Sequence, residues 1–154
     1  MHRILHIGLG LYISAGWLFM LYVGGTLGPE DLFIPLFLLV GVKFPDMDIH
    51  PILEHRKTLH SLSAVFLAGA AAWAVSERYL PDLSPYPYLF PAGMILHILQ
   101  DMATPSGCAL LYPFHSGKFR IMKTGGTSVL AFAYTFILGT VVLFVIGGIN
   151  GVIP

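Results

Sequence analysis

The stretch KFPDMDIHPILEHRKTLHS, Lys43 to Ser61, sets Asp46, Asp48, His50, Glu54, His55 and His60 beside Lys43, Arg56 and Lys57, between two apolar segments. Only 10% of the chain is charged, so this density of ionisable groups needs a cause. Pro45 ends one apolar run, and the next begins at Ser61. The stretch therefore reads as a polar turn between two hydrophobic helices.

Outward from that turn the chain is greasy. It has 154 residues, 56% of them hydrophobic, and eight basic side chains balance eight acidic ones. Mean hydropathy is +0.78. A soluble protein of this length needs a polar shell that this composition does not supply. The expected class is therefore all-α: one domain over 1–154, an integral membrane bundle of about five transmembrane helices. Zero net charge argues against a nucleic-acid partner. Cys108 is the only cysteine, which excludes an intrachain disulfide and a Cys-rich zinc site. The first apolar run is long enough to span and has no Ala-x-Ala-like cleavage site after it, so it reads as a retained helix.

Five candidate crossings follow: Ile4–Gly25, Leu27–Phe44, Ser61–Val75, Tyr86–Met102 and Thr127–Ile149. The first and last reach the roughly 20 residues that a hydrocarbon core of about 30 Å requires; the second and third are shorter. Thr104–Gly126, with CALLYPF inside it, reads as an interfacial or re-entrant loop. Alternation puts Arg3, Lys43, Arg56, Lys57, Lys118, Arg120 and Lys123 on one side and Arg78 alone on the other. Such a bias marks the first side as cytoplasmic, with the N-terminus inside and the C-terminus outside.

The same topology gathers His6, Asp46, Asp48, His55, His60, His97 and Asp101 on the cytoplasmic side. His97 and Asp101 are four apart, so imidazole and carboxylate leave one helical face and can share an ion. Asp46 and Asp48, two apart after Pro45, can bridge cations. Ligands of imidazole and carboxylate without thiolate suit Zn2+ first, and Mn2+ or Fe2+ as well, with several carboxylates pointing to two or more ions. His97 lies nine residues from Tyr88, about 14 Å along a helix, and so below the membrane surface. Blander readings stand beside these. His6 alone fits an interfacial polar residue, His97 with Asp101 fits a helix–helix hydrogen bond, and Asp46 with Asp48 fits a capped turn. His50 and Glu54 fit a loop as readily as a site, while His2 and His115 read as solvated. The basic set, Arg56, Lys118 and Arg120 above all, fits either the topology rule or a phosphate-binding rim.

At these residues the sequence resembles the YdjM-type family of inner-membrane-associated, LexA-binding proteins described as metal-dependent hydrolases. The matching segments are His6, PDMDIHP, HRKTLHS, and LHILQDMATPSGCALLYPF followed by GKFRI. Three departures stand out: Ile49 separates Asp48 from His50, Lys57 and Leu59 replace the family's Gly and Thr, and TGGTSVL lacks a glutamate. The resemblance implies a distant likeness to zinc-dependent phospholipase C and P1-type nuclease. It also implies His6, Asp46, Asp48, His55, His60, His97 and Asp101 as metal ligands.

The expected function is a hydrolase acting on a phosphoester of a membrane lipid or lipid-linked molecule. Metal would lower the pKa of water towards about 7 and polarise the phosphoryl group. Asp48, Asp46 or Asp101 would act as base. The alternatives are a membrane di-iron oxidoreductase, disfavoured by only seven histidines, and a non-enzymatic metal transporter or membrane anchor. Small residues in GTVVLFVIGGING, the last crossing, suit packing against another helix or a second protomer.

Overall fold

A computed structural model describes residues 2–47, 57–121 and 128–149. Among them are five α-helices: α1 (His2–Val23), α2 (Phe33–Lys43), α3 (Leu62–Arg78), α4 (Leu89–Met102) and α5 (Ser128–Ile149). The all-helical expectation holds. Of the described segments only Ile4–Val23 is a helix long and apolar enough to cross a membrane by itself, and the apolar part of α5 is the shorter Ala133–Ile149.

The second expected crossing, Leu27–Phe44, is corrected most. α2 has eleven residues and so rises about 16 Å, half of a ~30 Å hydrocarbon core. The cause is local. Gly28 is extended, Pro29 opens a 3-10 turn through Leu32, and the Asp31 carboxylate accepts the Gly28 N–H at 2.8 Å. The helix proper starts only after that turn. Pro35 and Pro91 both fall in the first turn of their helices, where a missing N–H costs nothing, so neither makes a kink.

Burial follows the sequence period. On α1 the buried positions are His6, Leu9, Gly10, Ile13 and Ser14, a single stripe at helical spacing. Leu9 and Ile13 pack with Leu38, Val42 and Leu96, backed by Leu138, Val142 and Ile146 of α5. α4 is the central helix, with eight of its residues buried. It packs along α2, with α3 on its outer side, while α5 lies against α1.

Two glycines set how closely α2 and α4 approach. A methyl group at Gly41 would collide with the Phe90 carbonyl, and one at Gly93 with the Leu38 carbonyl. With hydrogen atoms there instead, the two backbones touch.

Residues 103–121 fold back onto the helix ends. Leu62 N–H donates to Leu110 O at 2.9 Å, and Ile121 N–H to Met102 O at 2.7 Å. Cys108 and Phe119 exchange both backbone bonds. Gly107 makes the required left-handed turn at φ +58°.

The exterior is apolar. Phe66, Leu67 and Trp73 on α3, and Phe136, Ile137 and Phe144 on α5, are each more than half exposed. Area of this kind costs roughly 25 cal/mol per Å² in water, so the outer face is suited to a hydrocarbon solvent.

Candidate metal centre

Four elements deliver five donor side chains to one end of the bundle. His6 comes from the first turns of α1 and Asp46 from the 3-10 turn that ends α2. His60 immediately precedes the Ser61 N-cap of α3, and His97 and Asp101 share a face of α4. His60, His97 and Asp101 are at most 1% exposed, and Asp46 is the most open at 15%. Two overlapping groups result, His6–His97–Asp101 and Asp46–His60–His97, with donor atoms in each within 4.8 Å of one another.

Their orientation is set from behind. His97 Nδ1 lies 2.8 Å from the Val42 carbonyl. A carbonyl only accepts, so the proton sits on Nδ1 and the Nε2 lone pair faces the cluster. His6 Nδ1 donates to Gln100 Oε1 at 2.7 Å. The amide nitrogen of Gln100 turns the other way, to Thr135 Oγ1 at 2.9 Å and Leu5 O at 3.4 Å, which leaves its oxygen for His6. The His6 and His97 rings stack with centroids 4.0 Å apart.

The facing atoms are close. His60 Nε2 is 3.1 Å from His97 Nε2 and 3.2 Å from Asp101 Oδ2. Asp101 Oδ1 is 3.4 Å from His6 Nε2, and Asp101 Oδ2 is 3.7 Å from His97 Nε2. Asp46 Oδ1 is 3.8 Å from His97 Nε2. Ligand atoms about 2.1 Å from a tetrahedral ion are spaced ~3.4 Å apart, so the donor spacing fits a divalent cation. The chemistry of the set, three imidazoles and two carboxylates without thiolate, fits Zn2+, Mn2+ or Fe2+.

Beside His6 lies a small cavity of about 20 Å³, lined by Gln100, Thr104, Tyr134 and Thr135 among others. It has room for about one water molecule.

Of the residues expected to ligate, the structure thus brings together His6, Asp46, His60, His97 and Asp101. Asp48 and His55 lie outside the described residues, as do His50, Glu54 and Arg56. Of the expected phosphate rim, two members are among the described residues. Lys118 and Arg120 are exposed on the 103–121 loop, where Arg120 Nη1 donates to Pro105 O at 3.4 Å. His115 is exposed, as expected.

Gln100 was not singled out from the sequence, although a signal was there: an amide in an apolar helix, next to Asp101 and three residues after His97. Buried at 5%, such a group must be hydrogen-bonded. The role of Val42 is carried by its backbone, which leaves no mark in the sequence.

No curated protein and no solved structure matches the chain. The model of the YdjM inner membrane protein family matches residues 1–153, in keeping with the apolar exterior; the chain belongs to that family and is a membrane protein.

Proposed function

We propose that the protein is a membrane-embedded, metal-dependent hydrolase that cleaves a phosphoester of a lipid or lipid-linked molecule at the cytoplasmic face. One observation carries this reading. Five donors from four separate segments converge, four of them buried, at one end of a bundle whose outer surface suits hydrocarbon. Ionisable groups at such depth cost roughly 2.5–3.5 kcal/mol each on insertion scales, so a set of them aimed at one point calls for a use.

In this reading the bundle sits with the cluster end towards the cytoplasm and the N-terminus inside. Lys43, Lys57, Lys118 and Arg120 belong to that end, and Arg78 to the other. α2, too short to span, packs against α4 and α1 and leaves Leu36 and Val40 on the apolar exterior. His6, His60, His97, Asp46 and Asp101 would hold the ion, with Zn2+ the best match. Asp48 and His55 would complete a second position if more than one ion binds.

A divalent ion bound there would supply Lewis acidity at the phosphoryl group. The chain's own residues do the rest. Gln100 and Val42 hold His6 and His97 in the ligating tautomer. Asp46, the most exposed carboxylate of the set, takes the proton of the attacking water. The water oxygen then bonds to phosphorus, the ester P–O bond breaks, and the departing alkoxide takes that proton from Asp46. Kinship in chemistry with zinc-dependent phospholipases is part of the same proposal.

The test is direct. Purified protein is stripped of metal, reloaded with zinc and presented with a panel of phospholipids, the products being read by mass spectrometry. Turnover by wild type and its loss in Asp46→Ala is the expected result. No turnover of any lipid, or equal turnover by both proteins, would sink the hydrolase reading. Iron in the purified protein with an oxygen-dependent spectrum would point to an oxidoreductase instead.

A further inference from the structure

α5 is almost wholly apolar. After Ser128 its only hydroxyls are those of Tyr134, Thr135 and Thr140. The helix packs along α1, yet two of these hydroxyls reach α4. Tyr134 O–H donates to Leu99 O at 3.3 Å, and the Gln100 amide donates to Thr135 Oγ1 at 2.9 Å. Neighbouring residues of α5 thus meet neighbouring residues of α4. Threonines in apolar helices commonly bond to other helices for adhesion alone. Thr135 differs in what its partner does, because Gln100 is the residue that holds His6.

His6 lies between two acceptors. Its Nδ1 is 2.7 Å from Gln100 Oε1, and its Nε2 is 3.4 Å from Asp101 Oδ1. A neutral imidazole carries one proton, and only the form with that proton on Nδ1 offers the Nε2 lone pair to an ion. The Gln100 amide selects that form. Turned over, it would present its NH2 group to Nδ1, the proton would move to Nε2, and the lone pair facing the cluster would be lost.

Two contacts keep the amide from turning. Leu5 O can only accept, so it requires the NH2 group, but at 3.4 Å that bond is long. Thr135 supplies the shorter bond and takes the other amide hydrogen. Both N–H bonds are then used, and Oε1 is left for His6.

We propose that Thr135 is a positioning residue for the metal centre, one that locks the Gln100 amide and through it keeps the His6 Nε2 lone pair facing the ion. α5 has no donor in either ligand group, so it shapes the centre without touching the metal. The inference rests on the metal-binding part of the proposed function and on no particular reaction or substrate.

The test compares the full chain in detergent as wild type, Thr135→Val, Thr135→Ser and Thr140→Val. Two quantities are read. One is the His6 Nδ1–H proton, observed by NMR in metal-free protein and assigned by its absence from His6→Gln. The other is zinc affinity, from competition with a chelator. Wild type should show a slowly exchanging Nδ1–H. Thr135→Val, similar in shape but without an acceptor, should lose that signal and bind zinc several-fold more weakly. This is less than the roughly 10–100-fold of a partner that touches the ligand itself. Thr135→Ser should restore both. Thr140→Val removes the 3.3 Å hydrogen bond between Tyr12 of α1 and Thr140 of α5 and leaves Gln100 alone, so it should match wild type. Thr135→Ala replaces the valine variant if that protein does not fold. A wild-type signal in Thr135→Val, no recovery in Thr135→Ser, or an equal loss in Thr140→Val overturns the inference. Absence of zinc binding from every protein, wild type included, would instead remove the metal reading, and the Nδ1–H signal would still decide whether Thr135 positions His6.

Discussion

The Nδ1–H of His97 is donated to the carbonyl oxygen of Val42 at 2.8 Å, across the closest approach of α2 and α4. This one contact couples helix packing to the geometry of the cluster, since it turns the Nε2 of His97 towards His60, Asp46 and Asp101. His97 is the residue common to both donor groups. His97→Ala should therefore abolish metal binding, whereas His6→Ala, which touches one group only, should reduce it in part. Elemental analysis of the purified variants beside wild type checks the order. Equal metal content in His97→Ala and wild type would remove the centre as described.

Gln100 holds His6 without facing the cluster itself. Outer-shell partners of this kind are worth roughly 10–100-fold in metal affinity. Gln100→Leu, of similar volume, should weaken binding by about that factor with little change in secondary structure. Competition with a chelator of known affinity measures it. Unchanged affinity would mean that His6 is oriented by other means or is not a ligand.

The Gly41 and Gly93 contacts can be tested by adding one methyl group. Gly93→Ala places it against the Leu38 backbone, which cannot move aside as a side chain can. The expected cost is about 1–3 kcal/mol, read as a lower thermal midpoint in detergent, with weaker metal binding because Val42 moves with α2. Gly8→Ala is the control. Nothing lies within 4 Å of the added atom there, and the better helix former should be neutral or slightly stabilising.

Ser61 joins the cluster to α3. Its hydroxyl accepts the Ala64 N–H at 3.2 Å and donates to Thr58 O at 2.8 Å. Ser61→Ala should cost about 1 kcal/mol as a lost N-cap. It should also lower metal affinity, because His60 is the preceding residue. Ser61→Thr, which keeps the hydroxyl, should restore both; failure to restore either would separate the cap from the site.

At the opposite end Tyr86 O–H donates to Asp31 Oδ1 at 2.8 Å and ties the start of α4 to the start of α2. Tyr86→Phe should cost roughly 1 kcal/mol, the usual net value of one hydrogen bond. Metal content should not change. A parallel fall in metal content would show that the two ends of the bundle are coupled.

Hydropathy alone determines that this chain is helical and apolar outside, because each helix reports its own composition. The pairing of His97 with Asp101 is equally legible, since helical spacing sets which side chains share a face. The length of α2 was misread for a related reason: hydropathy sums Leu27 to Phe44 without seeing that Gly28, Pro29 and Asp31 hold a 3-10 turn where the helix should begin. Tertiary structure decided what no local pattern contains. His6 and Gln100 are 94 residues apart and meet only because α1 packs with its His6 face towards α4. Val42 acts through a carbonyl that every residue has, and it reaches His97 only because hydrogen atoms at Gly41 and Gly93 let two backbones touch. Sequence named residues that meet and the end of the bundle at which they do; the direction in which each ring nitrogen points was left to packing.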